Sequence, residues 1–363
     1  MIPVTILTGF LGSGKTTLLK RILNEKHGMK IAVIENEFGE ENIDNEILVQ
    51  NQAEQIVQMS NGCICCTIRG DLARALGDLA ARKRAGEIAF DRVVIETTGL
   101  ANPGPVAQTF FIDSEIADEF LLDAIITLVD AKHANAQLDE HEVVQRQVGF
   151  ADRLFVTKSD LVDEALLSDL RHRLVHMNPK ATIKVVNFGE ADLKEIFDLR
   201  GFNLNAKLEI DPDFLAEDDH AHAHHDHDHG HAHDHEHEHD HEHCNHDHGQ
   251  CAHDGHAHHH HAHHDDRIKS FVYRNDRPFD PNKLEDFLGG VLQIYGERLL
   301  RYKGVLYMKG VDRKVVFQGV HQMMGSDLAA KWLPAEKKTN KMVFIGIDLP
   351  QDLITDGLDA CLA

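Results

Sequence analysis

Three short runs bring together residue types able to bind phosphate, a hard cation and a purine base. Gly9-Phe-Leu-Gly12-Ser13-Gly14-Lys15-Thr16 has the spacing G-x-x-x-x-G-K-[ST], preceded by an apolar run and followed by an amphipathic one. The glycines at 9, 12 and 14 let backbone N–H groups face a polyphosphate, and the helix start that follows adds a favourable dipole. Lys15 has the reach for β- and γ-phosphates, and the Thr16 hydroxyl suits Mg²⁺. Ser13 and Thr17 complete this expected phosphate-binding set. In Val93-Val-Ile-Glu96-Thr-Thr-Gly99, an apolar strand ends in a carboxylate able to hold Mg²⁺ through water. Gly99 would let the next loop approach the γ-phosphate, so Lys15 and Glu96 are the expected catalytic pair on these elements.

Thr157-Lys158-Ser-Asp160 follows another apolar run. An Asp carboxylate here can accept hydrogen bonds from guanine N1 and N2, which adenine does not offer. The aliphatic stem of Lys158 can lie along the base. Guanine-binding proteins usually show Asn where this chain has Thr157; a hydroxyl still donates, and guanine stays favoured over adenine.

A second chemistry is written in cysteine and histidine. Cys63, Cys65 and Cys66 lie within four residues, directly before a helical pattern that favours thiolates. Three soft ligands suit Zn²⁺, with Co²⁺, Ni²⁺ and Cu(I) also accommodated. No second Cys pair of C-x-x-C type accompanies them, so an open, exchangeable site fits better than a closed structural one. Glu35-Asn-Glu37-Phe-Gly-Glu40 follows the second strand. Its carboxylates can touch Mg²⁺, orient an attacking water or serve a second metal. The residues alone leave open which carboxylate does which; Glu37 is carried as the catalytic candidate, beside Glu35 and Glu40 as candidate metal ligands.

Of the 29 histidines, 23 fall between His220 and His264, interleaved with acids and with Cys244 and Cys251. Residues 217–266 hold 14 Asp or Glu and no Lys or Arg, leaving −9 of the net −23 to the rest of the chain. Lacking large apolar side chains, this tract is expected to be a disordered metal-collecting linker. The strongly negative balance argues against nucleic acid or an anionic membrane as partner. No run of about 18 apolar residues predicts a membrane span. The first residues lack a signal-peptide pattern, so a cytoplasmic protein is expected.

Periodicity supplies the elements that must position these groups. Strands are expected at 4–8, 30–34, 55–59, 92–96, 124–130, 153–157 and 183–187, and helices at 16–25, 67–82, 140–149 and 163–176. Repeated βα units with continuous apolar strands predict an α/β fold, a parallel sheet with helices on both faces. Beyond the tract, strands at 270–273, 299–308, 314–319 and 342–348 predict a small α+β domain. Its helices are expected at 281–291 and at either 326–332 or 349–362. The expected domains are 1–205, 206–267 and 268–363.

TGFLGSGKTT, IENEFGE, NGCICC, ETTGLANP and TKSD, in that order, resemble the CobW-like P-loop GTPases, relatives of the urease and hydrogenase accessory G proteins. QGVHQMM at 318–324 extends the resemblance into the last domain. The resemblance implies a nucleotide-dependent metallochaperone that uses GTP and Mg²⁺ and passes a transition metal, zinc foremost, to a metal-requiring client. It assigns the transferable metal to Cys63, Cys65 and Cys66, with Glu35 and Glu40 assisting. Two other functions remain open on residues alone: a metal buffer with a vestigial nucleotide site, and a small-molecule kinase, for which no Arg-rich lid stands out. Homo-oligomerisation is left open.

Overall fold

The computed structural model describes residues 1–25, 27–35, 68–202, 266–334 and 336–363. The expected strand at 55–59, the carboxylates Glu37 and Glu40, the thiols Cys63, Cys65 and Cys66, and nearly all of the His-rich tract lie outside the described residues. The backbone of Glu35 is described, its side chain is not.

The first sheet is parallel throughout. It comprises β1 (Ile2–Gly9), β2 (Ile31–Glu35), β3 (Arg92–Glu96), β4 (Phe120–Asp130), β5 (Arg153–Thr157) and β6 (Thr182–Val185), in the order β2-β3-β1-β4-β5-β6. Alternation along the strands feeds two cores. Val4, Ile6, Ala32, Ile34, Val93, Ile95, Leu154 and Val156 share one core, while Leu7, Ile31, Val33, Val94 and Phe155 share the other. The second face is covered by α1 (Lys15–Asn24) through Leu18, Leu19, Ile22 and Leu23. The first takes α2 (Ile68–Arg84), α3 (Pro103–Ile112), α4 (Ser114–Glu119), α5 (Ala134–Glu140), α6 (Glu142–Phe150) and α7 (Glu164–Met177). The expected parallel α/β fold with helices on both faces is therefore present.

Three of these helices, α3, α4 and α5, were not expected from periodicity. The first is apolar nearly all round, so it shows no 3.6-residue contrast. Its start is nonetheless marked by Asn102, whose Oδ1 accepts from Gly104 N at 3.0 Å, and by Pro103 at the first helical position.

The second sheet is antiparallel, in the order β10-β9-β8-β11-β7, from β7 (Ile268–Asn275), β8 (Leu299–Leu306), β9 (Arg313–Val320), β10 (Met323–Lys331) and β11 (Asn340–Ile347). One face packs on α8 (Pro281–Tyr295) and α9 (Gln351–Ala360) through Phe271, Tyr302, Phe344, Leu284, Leu288 and Ile354. From the other face, Ile268, Leu300, Val320 and Val343 join the core of the parallel sheet. Of the two helices read as alternatives, 349–362 holds α9, but 326–331 is strand: β10 pairs with β9 from Met323↔Val320 to Leu328↔Val315. Ladder pairing overrides the helical preference of its Leu-Ala-Ala-Lys end.

Buried arginines stitch the two sheets together. Arg301 of β8 donates to Asp152 Oδ1 at 2.5 Å, Phe150 O at 3.0 Å and Gly201 O at 2.8 Å. Arg173 of α7 pairs with Asp266, just before β7, at 2.6 Å. Each guanidinium is buried with a matched carboxylate and further oxygen acceptors, the condition under which a buried charge is tolerated. Among the described residues no helix is long and apolar enough to cross a membrane.

Candidate nucleotide site

The site forms where β1, β3 and β5 end, at the carboxyl edge of the parallel sheet, where open α/β sheets place their ligands. Between β1 and α1 the chain turns through Gly9, Gly12 and Gly14, all with positive φ. Gly9 has no room for a side chain, since a Cβ there would sit 2.4 Å from Leu128 O. Gly14 is left-handed (φ 98°) at the helix N-cap, a conformation glycine adopts without steric cost.

Lys15 is folded onto the loop that precedes it. Its Nζ donates to Gly9 O at 2.8 Å and Phe10 O at 3.1 Å. Burial pushes its pKa below the usual lysine value, outweighing the opposing pull of the Glu96 carboxylate. Thr16 Oγ1 donates to Glu96 Oε1 at 3.1 Å, joining the start of α1 to the end of β3 across 80 residues of sequence. This pairing of hydroxyl and carboxylate is a hard-oxygen donor set of the kind Mg²⁺ takes, with waters filling the remaining positions. The Ser13 hydroxyl is buried without a hydrogen-bond partner among the described residues, leaving one polar group of the cradle unspent.

Beyond Glu96, Thr97 donates through Oγ1 to Thr8 Oγ1 at 2.8 Å, locking β3 to β1. Gly99 then passes so close to the phosphate loop that a Cβ would lie 2.6 Å from Leu11 N.

At the base end, Thr157 is buried, and its hydroxyl lies against Ser13 O at 2.8 Å and Val129 O at 3.3 Å. Its polar atom thus faces the phosphate-loop backbone. Lys158 takes a left-handed conformation (φ 56°), unusual for a non-glycine residue, and its Nζ donates to Asp130 Oδ2 at 2.6 Å. Burial opposes ionisation of Asp130, but bonds from Lys158 and His133 outweigh it and hold the carboxyl below its ordinary range. Asn187 Oδ1 accepts from Ser159 N at 3.0 Å and fixes the loop from the other side. Asp160 is solvent-exposed in the following 3-10 turn.

The structure thus gathers Gly9, Gly12, Ser13, Gly14, Lys15, Thr16, Thr17, Glu96, Gly99, Thr157, Lys158 and Asp160 around the carboxyl edge of one sheet. Sequence reasoning missed Asp130, Asn187 and Gln147, whose amide donates to Gly99 O and Ala101 O. Asp130 closes an apolar strand as Glu96 does, and that signal could have found it; Gln147 carries no local signal. Among the described residues no three His, Cys, Asp or Glu converge on a metal position. The described cysteine, Cys361, is buried against Lys283 O and Gly357 O, and burial raises its thiol pKa.

The family description "CobW/HypB/UreG, nucleotide-binding domain" matches residues 3–185, and "Cobalamin synthesis protein cobW C-terminal domain" matches 268–362. The zinc chaperone YjiA of Escherichia coli is 39% identical over 354 residues, spanning 97% of this chain and 96% of that protein. The zinc chaperone CobW of Pseudomonas aeruginosa is 31% identical over 393 residues, covering 100% and 92%. The crystal structure of Zn(II)-bound YjiA GTPase from E. coli superposes with a TM-score of 0.70 at 33% identity, over 100% of this chain and 99% of that one. The chain belongs to the CobW/HypB/UreG family of P-loop GTPases and carries the CobW C-terminal domain behind its nucleotide-binding domain.

Proposed function

We propose that this protein is a GTP-hydrolysing metallochaperone that binds zinc at Cys63, Cys65 and Cys66, with Glu35 and Glu40 assisting, and delivers it to a metal-requiring client. The observation that carries the nucleotide half is the 3.1 Å link between Thr16 and Glu96 beside a buried, loop-bound Lys15. The metal half rests on the thiol cluster in the sequence and on relatives named zinc chaperones along nearly the whole chain. Co²⁺ or Ni²⁺ would fit the same donors.

In hydrolysis a water oxygen attacks the γ-phosphorus, the bond to the β–γ bridging oxygen breaks, and GDP and inorganic phosphate leave. Lys15 offers its charge to the β- and γ-phosphate oxygens, and loop N–H groups of residues 12–16 donate to them. Thr16 and Glu96 would hold Mg²⁺, which neutralises charge on the leaving phosphates. Glu37 orients the water. At the base, Asp160 accepts from guanine N1 and N2, and Lys158 covers one face of the ring. GTP binding tightens the metal site of Cys63, Cys65 and Cys66, and hydrolysis loosens it. The chain works as three segments, 1–205, 206–267 and 268–363, with the His-rich segment collecting metal in the cytoplasm.

The test is GTP turnover by the full chain with and without Zn²⁺, in wild type and Cys65→Ala. The reading predicts that Zn²⁺ changes wild-type turnover and leaves the variant unmoved. Negligible turnover under every condition, together with many metals bound per chain, would favour a buffer instead.

A further inference from the structure

We propose that Gln147 is a positioning residue for GTP hydrolysis, its side-chain amide holding the turn at residues 99–101 in the register the γ-phosphate requires. The proposal rests on the reading of Gly99 as the γ-phosphate contact.

Gln147 lies on α6 and is fully buried. Its Nε2 group carries two N–H bonds, and both are used: one to Gly99 O at 3.1 Å, the other to Ala101 O at 3.0 Å. Its Oε1 has no partner among the described residues. An amide that spends both donors on one turn while its buried acceptor goes unsatisfied is placed for that turn rather than for general packing.

The turn is gripped from two sides. Gly99 abuts Leu11 of the phosphate loop closely enough to forbid a Cβ, while Gln147 holds the carbonyls from α6. The helix behind the amide is itself anchored. Thr127 Oγ1 of β4 donates to Gln147 O at 2.8 Å. Asn178 Nδ2 donates to Val148 O at 2.8 Å and Ala151 O at 2.9 Å, and Arg301 from the second sheet donates to Phe150 O at 3.0 Å. Gln147 therefore transmits the position of a fixed helix to a turn that begins three residues after Glu96. With Gln147 removed, the Gly99 and Ala101 carbonyls lose their shared donor and the turn loses its outer restraint. Misplacement of a positioning element by about 1 Å can cost a reaction about 10²-fold in rate.

The experiment compares Gln147→Met, which keeps the side-chain length without donors, with Gln147→Glu and Gly99→Ala, in the full chain. The readouts are kcat, KM for GTP, and the affinity for a non-hydrolysable GTP analogue relative to GDP. Gln147→Met is expected to lower kcat about 10–100-fold and to reduce the preference for the GTP analogue, with GDP affinity unchanged. In Gln147→Glu an ionised carboxylate cannot donate, but its protonated form donates once, so activity should recover as pH falls while wild type shows no such gain. This second variant decides the matter if Gln147→Met does not fold. A Gln147→Met protein that melts earlier yet keeps wild-type kcat and nucleotide preference would overturn the proposal and leave Gln147 a packing residue. If Gly99→Ala also leaves the preference untouched, the γ-phosphate reading of the turn falls with it. If Gly99→Ala destroys the preference and Gln147→Met does not, only the role of Gln147 is lost.

Discussion

The phosphate end and the base end of the nucleotide site are built on different principles. At the phosphate end the chemical groups are buried, or half-buried in the case of Thr16, and already joined to one another: Lys15 to the Gly9 and Phe10 carbonyls, Thr16 to Glu96, Thr97 to Thr8. At the base end only the scaffold is buried. Thr157 leans on Ser13, Lys158 is drawn to Asp130, and Asn187 holds Ser159, but the carboxylate of Asp160, proposed to read the base, stands in solvent. A group ordered before the ligand arrives gives up little further freedom on binding, and a buried charge acts through a lower effective dielectric. The comparison teaches that phosphate recognition should supply most of the binding and catalytic energy, while base selectivity is a smaller increment at the rim. It also gives Thr157 a role that its residue type alone does not reveal, because its hydroxyl supports the loop that cradles phosphate.

The comparison can be broken at either end. Lys15→Ala removes the buried ammonium and leaves two carbonyls without their donor; kcat/KM for GTP should fall about 10²–10³-fold, measured by phosphate release. A loss no larger than that of any base-end variant would reverse the ranking. Asp160→Asn exchanges a double acceptor for an amide; at about 1.5–3 kcal/mol for hydrogen bonds to a charged group, GTP affinity should drop about 10–100-fold. The same variant should gain affinity for xanthosine triphosphate, whose C2 carbonyl can accept from the new amide. Unchanged discrimination between the two nucleotides would remove Asp160 from the base pocket.

Much of this arrangement was legible from local pattern. Continuous apolar runs ending in Gly9, Glu96 and Thr157 reveal strands whose polar last residues line one edge, and the glycine spacing reveals the turn between them. What escaped was encoded over longer range. Gln147 is an ordinary helical polar residue until folding sets it under Gly99, 48 positions away. The helix Pro103–Ile112 hides its period because nearly every side is buried, and the strand Met323–Lys331 is defined by its partner β9 more than by its own residues. The thiol cluster is the reverse case: three closely spaced cysteines are plain in the sequence, while Cys63, Cys65 and Cys66 lie outside the described residues.

Under the proposed function, the nucleotide state governs how tightly the thiolates hold their ion. This control is tested most directly by Zn²⁺ affinity, measured by chelator competition on the full chain without nucleotide, with GDP and with a non-hydrolysable GTP analogue. Allosteric couplings of ordinary size predict tighter binding in the GTP-analogue state by about 10-fold or more, a difference that disappears in Cys65→Ala. Equal affinity in all three states would contradict nucleotide-controlled delivery.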